Sequence, residues 1–191
     1  MLREIIKPSL ALFVITAAIT LILAITNLLT TDVIAEARDN ARLASMADVL
    51  PQAATFSDYT LIYHETIYSY AIGFNDNEAA GVVMQVHVRG WAPMTFLVGI
   101  DIEGAVAGIA VIAHSETPGL GSRITEEAVR NQFVGATGNV RVLTRGSVGQ
   151  NEVMAIAGAT VTVQVVADGV NDALAYANSN ILPNIRNYIA R

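Results

Sequence analysis

The sequence predicts an α+β protein: an antiparallel sheet with packed helices, preceded by one N-terminal transmembrane helix. Three observations carry that expectation. From Leu10 to Leu29 the chain is apolar apart from Thr16, Thr20, Thr26 and Asn27. Val82–Arg89 and Thr95–Ile100 alternate with period 2, the pattern of a half-buried strand. Residues 162–177 put Val163, Val166, Val170, Leu174 and Ala177 on one face of a helix, with Gln164, Asp168 and Asn171 opposite.

Composition narrows the function classes. Hydrophobic residues make up 53% of the 191 positions, and mean hydropathy is +0.47, so part of the chain belongs in lipid. The net charge of −6 and the lack of any Lys/Arg cluster argue against a nucleic-acid partner, which needs basic groups to neutralise phosphates. There is no cysteine, which removes disulfides, thiolate catalysis and cysteine-ligated iron–sulfur clusters. Any electron carrier on this chain is therefore organic or held by His and Met, and the only histidines are His64, His87 and His114.

The apolar run is about as long as a helix needs to cross the hydrocarbon core. Ala35-Glu36-Ala37 resembles a signal-cleavage site, but signal peptides carry shorter apolar regions of roughly 7–15 residues, so an uncleaved anchor is expected. Arg3 and Lys7 precede the run, and Asp32 and Glu36 follow it. The positive-inside tendency then leaves the N-terminus in the cytoplasm. The expected division is a cytoplasmic segment 1–9, a transmembrane helix 10–30 and an extracytoplasmic domain 31–191. That describes a single-pass protein of the inner (cytoplasmic) membrane whose domain is periplasmic in a Gram-negative cell.

Residues 31–50 are expected to continue as helix until Pro51 stops it. The aromatic stretch Tyr59–Phe74, with Tyr59, Tyr63, Tyr68 and Tyr70, reads as one or two strands. Asn75-Asp76-Asn77-Glu78 is a turn, favoured over a metal loop. Asp101-Ile102-Glu103-Gly104 is a hairpin turn. Val106–Ala113 is continuously apolar and reads as a central strand buried on both faces, ending at His114. After it come a loop at Glu116–Gly121 and a short helix near Thr125–Phe133 capped by Thr125. A strand at Val140–Thr144, the helix at 162–177 and a last short helix after Pro183, within 178–191, complete the chain.

Two short runs carry the chemistry. In Ala157-Gly158-Ala159-Thr160-Val161-Thr162, Gly158 and Ala159 are small enough for a bulky ligand to lie near the backbone. Thr160 offers a hydroxyl at the approach to a helix N-terminus, where free N–H groups and the helix dipole stabilise a phosphate. Thr162 caps or hydrogen-bonds beside it. In Glu116-Thr117-Pro118-Gly119-Leu120-Gly121, Pro118 fixes φ while Gly119 and Gly121 permit close approach. Leu120 is then an exposed apolar residue suited to a flat aromatic ligand, and Thr117 with backbone N–H groups suits its polar edge. Gly-Leu-Gly lacks the third glycine of a dinucleotide fingerprint. For either run alone the plain reading is an ordinary loop. Gly135-Ala136-Thr137 repeats Gly-Ala-Thr but is followed by Gly138 rather than by an amphipathic helix, so it reads as a loop. Whether His114 is structural or titrates near a ligand together with Glu116 stays open. Trp91 and the tyrosines read as core or interface.

His114-Ser115-Glu116-Thr117-Pro118-Gly119-Leu120-Gly121 followed by Gly158-Ala159-Thr160-Val161-Thr162 resembles the FMN-binding domain family. That family includes RnfG of the Rnf electron-transport complex and NqrC of the sodium-translocating NADH:quinone reductase. The resemblance implies an electron-transfer subunit of a ferredoxin:NAD⁺ oxidoreductase that translocates Na⁺ or H⁺. It implies FMN esterified through its phosphate to Thr160, installed from FAD by a flavin transferase, with Gly158, Ala159, Thr162, Glu116, Thr117, Gly119, Leu120 and Gly121 around it. No standalone catalysis is implied. The implied partners are the other membrane subunits, the transferase and the lipid bilayer. Met154 and Ala157 depart from the family's usual Asp and Ser/Thr. They favour the alternative, an anchored structural or assembly subunit with an unloaded flavin pocket; a membrane-tethered flavin sensor is a weaker third reading.

Overall fold

The computed structural model of the chain describes residues 2–57, 60–62, 65–76 and 78–188. Tyr59, Tyr63, His64, Asn77 and residues 189–191 lie outside the described residues, as do the side chains of Arg3, Lys7, Asp32 and Glu36. Helix α1 runs Leu2–Val49 without interruption, and Pro51 follows its end. Within it, Leu12–Thr31 is long and apolar enough to cross a membrane. Thr16, Thr26 and Thr30 return their hydroxyls to the helix itself. Thr16 Oγ1 donates to the carbonyl of Leu12 at 2.9 Å, Thr26 Oγ1 to Ile22 at 2.9 Å and Thr30 Oγ1 to Thr26 at 2.8 Å. Polar groups satisfied this way are tolerated in hydrocarbon. The chain divides into two compact units, Met1–Arg42 and Leu43–Arg191.

The second unit is built on an antiparallel sheet. Its strands are β1 (Thr55–Phe56), β2 (Thr60–Leu61), β3 (Ile67–Asn75), β4 (Glu78–Arg89), β5 (Pro93–Asp101) and β6 (Val106–His114). They run in the order β1-β3-β4-β5-β6, with β2 also on β3. The expected turn lies between β3 and β4, and the expected hairpin turn joins β5 to β6. Asp76 adopts a positive φ of 47° between β3 and β4. Asp101 Oδ1 accepts from the N–H groups of Gly104 at 2.8 Å and Ala105 at 2.9 Å.

One face of the sheet carries Val82, Met84, Val86, Phe96, Val98 and Ile100 against helix α3 (Thr160–Tyr176). Gly169 of α3 lets that helix sit close: a Cβ there would lie 2.8 Å from Val88 and 2.9 Å from Val86. The other face carries Ala71, Val83, Leu97 and Ala110 against Met46, Val49, Leu50 and Ala53. Farther along that face the residues are polar. Gln85 Nε2 donates to His87 Nε2 at 3.0 Å, so the imidazole proton is assigned to Nδ1, which reaches Thr95 Oγ1 at 3.2 Å. Desolvation lowers the His87 pKa, in keeping with this neutral ring.

The end of α1 meets the sheet at glycines, an arrangement that no local stretch of sequence predicts. Gly73 pairs with Gly81 and Gly99 with Gly108 across the strands. A Cβ on Gly99 would overlap the Val49 carbonyl oxygen, and one on Gly108 would sit 2.9 Å from it. Backbone cannot yield as a side-chain tip can. Gly99→Ala is therefore expected to cost about 3 kcal/mol through overpacking. The check is the denaturation midpoint of the full chain; an unchanged midpoint contradicts this packing.

Several expectations need correction. Val106–Ala113 is not a central strand, because β6 is the edge of the sheet. Its first half is apolar because other segments cover it. Val106 N–H donates to Ala136 O and Gly135 N–H to Val106 O, both at 2.8 Å, and Arg130 Nη1 donates to Ile109 O at 2.8 Å. Its second half is open, with Ile112, Ala113 and His114 exposed. The helix expected near Thr125–Phe133 is a 3₁₀ turn (Gly121–Thr125), a single α-turn α2 (Glu127–Arg130) and another 3₁₀ turn (Asn131–Phe133). Thr125 is no cap: its hydroxyl turns back to Ser122 O at 2.8 Å, and Glu126 precedes α2.

The strand at 140–144 is β7 (Arg141–Leu143). It pairs in parallel with β8 (Glu152–Met154), a three-residue strand too short for periodicity to reveal. Helix α3 starts two residues earlier than expected. It passes through a π-turn, Ala177–Ile181, into α4 (Leu182–Tyr188), so Pro183 lies inside the last helix rather than before it. Pro183 has no N–H to continue the helical ladder, and it follows directly on the π-turn where that ladder shifts, with Leu182 N–H donating to Ala177 O.

Candidate functional site

The two singled-out runs, separated by more than thirty residues of sequence, meet in space. The first follows β6 and the second precedes α3. Gly158 has φ of +81°, a left-handed conformation that favours glycine, and a Cβ there would lie 3.2 Å from Leu120 Cδ2. Deeper in, Thr162 Oγ1 donates to Glu116 Oε2 at 3.1 Å, and both residues are buried. Gly121 lies against this pair: its Cβ would overlap Glu116 Oε2 and be 2.9 Å from Thr162 Oγ1. Only glycine fits there while the carboxylate stays in place.

The start of α3 is open to an anion. Ala159 is the N-cap residue, with φ −137° and ψ 32°, and no side chain caps the helix. Its first-turn amides have no intrahelical acceptor. Thr160, the first helical residue, is exposed. Thr162, expected as a cap or a neighbour, instead faces inward to Glu116. Ala159 is buried, while Gly158, Val161 and Leu120 are exposed around the opening. Thr117 and Gly119 are also exposed, and Gly119 N–H donates to Ser122 Oγ at 2.9 Å.

Residues not anticipated complete the wall. A Cβ on Gly90, between β4 and β5, would lie 3.2 Å from Val165 Cγ2 and 3.8 Å from Glu116 Oε1. That oxygen is buried and has no hydrogen-bond partner among the described residues. The sequence signal for Gly90 is the break it makes in the β4 alternation. Beyond Val165 a groove of about 460 Å³ opens, lined also by Thr66, His87, Arg89 and Asp168.

Other candidates resolve plainly. His114 is exposed rather than at the end of a buried strand, and its Nδ1 accepts from Glu116 N–H at 3.3 Å, a bond that shapes the loop. Trp91 is 80% exposed, which excludes a core role. Tyr68 packs its ring against His87 at 5.1 Å, and Tyr70 packs on the core. Thr137 lies in a loop whose N–H donates to Asn151 Oδ1 at 2.9 Å, and no helix follows it. Met154 belongs to β8, where its N–H donates to Gln132 Oε1 at 2.6 Å, and Ala157 is exposed.

A buried acceptor in need of a donor, a glycine-lined opening beneath an apolar leucine and an uncapped helix N-terminus suit a flat polar-edged ring that bears a phosphate. That is the shape and chemistry of FMN.

Comparison with known proteins agrees. Residues 90–175 match the FMN-binding domain family model, and residues 1–49 match the RnfG N-terminal region. The chain is 32% identical over 186 residues to the RnfG subunit of the Na⁺-translocating ferredoxin:NAD⁺ oxidoreductase complex of Acetobacterium woodii, covering 88% of this chain and 89% of that one. It is 29% identical over 184 residues to the corresponding RnfG subunit of the ion-translocating oxidoreductase complex of Methanosarcina acetivorans, covering 93% and 96%. Among solved structures, the NqrC subunit of the Na⁺-translocating NADH-quinone reductase from Parabacteroides distasonis aligns with a TM-score of 0.49 and 25% identity, over 58% of this chain and 62% of that one. Similarity along nearly the full length of its relatives, with both family regions in order, establishes that this chain belongs to the RnfG family of the ion-translocating ferredoxin:NAD⁺ oxidoreductase (Rnf) complexes.

Proposed function

We propose that this chain is the RnfG-type electron-transfer subunit of a membrane-bound, ion-translocating ferredoxin:NAD⁺ oxidoreductase, and that it carries electrons on FMN esterified through its phosphate to Thr160. The observation that carries this reading is the meeting of the two loops, Leu120 against Gly158 and Glu116 on Thr162, beside the exposed Thr160 hydroxyl. Bound FMN supplies the redox chemistry. The chain's own residues hold and position it. Thr160 Oγ1 provides the ester oxygen, and the first-turn amides of α3 face the phosphate charge. Leu120 supplies an apolar surface for the ring, and Gly158 and Gly121 keep the backbone out of its way. Thr162 orients Glu116.

Transfer from FAD by a flavin transferase forms the Thr160 oxygen–phosphorus bond, breaks the pyrophosphate and releases AMP. The apolar segment anchors the chain in the lipid bilayer as a single span, with residues 1–9 in the cytoplasm, 10–30 in the membrane and 31–191 on the outer face. Support for that orientation is the flanking charge. The other membrane subunits of the complex are the electron partners, since one flavin on the outer face has no function without a donor and an acceptor.

The test is a denaturing gel of the full chain made together with its transferase and viewed under ultraviolet light. A fluorescent band is expected, and Thr137→Ala is expected to keep it at full intensity. Loss of the band in Thr137→Ala points to the wrong threonine here. A dark band in the parent protein favours the structural or assembly subunit with an unloaded pocket.

A further inference from the structure

One carboxylate oxygen at the centre of the site is buried without a partner. Glu116 is 7% exposed. Its Oε2 accepts from Thr162 Oγ1, and its Oε1 has no hydrogen-bond partner among the described residues. None of the ion pairs seen among the described residues involves it. A buried acceptor left this way is costly, and such groups ordinarily meet a donor. The side chain is also held in place. Thr162 binds Oε2, Gly121 leaves that oxygen room where a Cβ would overlap it, and Oε1 lies 3.8 Å from the point that a Cβ on Gly90 would occupy.

A carboxylate only accepts hydrogen bonds. The oxidised isoalloxazine ring has a single N–H donor, at N3; its N1, N5 and both carbonyl oxygens are acceptors. Only one pairing between the oxidised ring and Glu116 is therefore available. We propose that Glu116 Oε1 accepts the N3–H of the bound isoalloxazine, so that Glu116 is the positioning residue that fixes which edge of the ring is buried. The pyrimidine edge is then the inner one, and the dimethylbenzene edge is presented to electron partners. A negative charge at the pyrimidine edge also opposes the arrival of an electron and lowers the flavin potential. This proposal rests on the reading that the site holds FMN on Thr160.

The test uses the full chain, loaded by its transferase from FAD labelled with ¹⁵N at N3. In the parent protein the N3 proton is expected to be protected from exchange with water, and its ¹⁵N signal displaced from that of free FMN. Glu116→Met removes the acceptor and is expected to lose both effects. Glu116→Gln keeps the shape, removes the charge and is expected to raise the midpoint potential, with covalent flavin content and circular dichroism unchanged. An N3 proton that exchanges in the parent as in free FMN overturns the proposal, as does an unchanged potential in Glu116→Gln. Absence of covalent flavin from the parent contradicts the Thr160 reading instead. The same N3 measurement is then made with labelled FMN added to the unmodified chain, where failure to bind or an unprotected N3 overturns the Glu116 proposal as well.

Discussion

Replacing Thr160 with alanine is expected to abolish covalent flavin completely while leaving the domain as stable as the parent. Thr160 is exposed, and its hydroxyl makes no hydrogen bond to the described residues. Alanine is a good residue in a helical turn, so the stability change is expected to stay within about 0.5 kcal/mol. The chemical change is all-or-none, because no ester forms without the oxygen. Ferredoxin-driven NAD⁺ reduction by the assembled complex is expected to fall to background. The in-gel fluorescence and the thermal midpoint of the same preparation check the two halves of this result. Fluorescence that survives the substitution places the ester elsewhere, and a large fall in midpoint means that Thr160 has a structural task not visible in this fold.

Gly121→Ala is expected to do the converse: keep the covalent link and spoil the seat. A Cβ at Gly121 overlaps Glu116 Oε2 and meets its Cδ at 2.8 Å, so the carboxylate must leave its place beside Thr162. The clash is with a side-chain end rather than with backbone, which limits the cost to about 1–3 kcal/mol. Thr160 itself remains exposed. The attached flavin is then expected to behave as though in solvent. Its fluorescence in the native protein rises toward that of free FMN, and its visible absorption loses fine structure. A native spectrum identical to the parent's contradicts the assignment of the Glu116–Thr162–Gly121 cluster to the ring site.

These two substitutions separate the proposed anchor from its proposed cradle, and the residues of the first are the more readily singled out in the sequence. Thr160 before an amphipathic run is local information: one hydroxyl, small neighbours and a helix start. The strands β4 and β5 were equally local, since Val82–Arg89 and Thr95–Ile100 state their period directly. The cradle is not local. That Glu116 turns inward to Thr162 depends on β6 delivering its loop to the start of α3, which no window of sequence contains. Gly121 reads as permissive backbone, yet its task is to leave room for another residue's carboxylate.

The misassigned β6 has the same origin. Val106–Ala110 is apolar because the end of α1 and residues 129–136 cover it, so an edge strand carries the composition of a central one. Gly99 and Gly108 were also invisible as a pair, because they gain meaning only once Val49 at the end of α1 rests on them. Strand β8 is three residues long and pairs with β7 across a loop, which leaves no periodic trace.

The most direct measurement is mass spectrometry of the peptide containing Thr160, taken from the full chain produced with its transferase. A mass increase equal to FMN less one water on Thr160 is the predicted result. An unmodified Thr160 in that preparation, or the same increase on Thr137, would contradict the account.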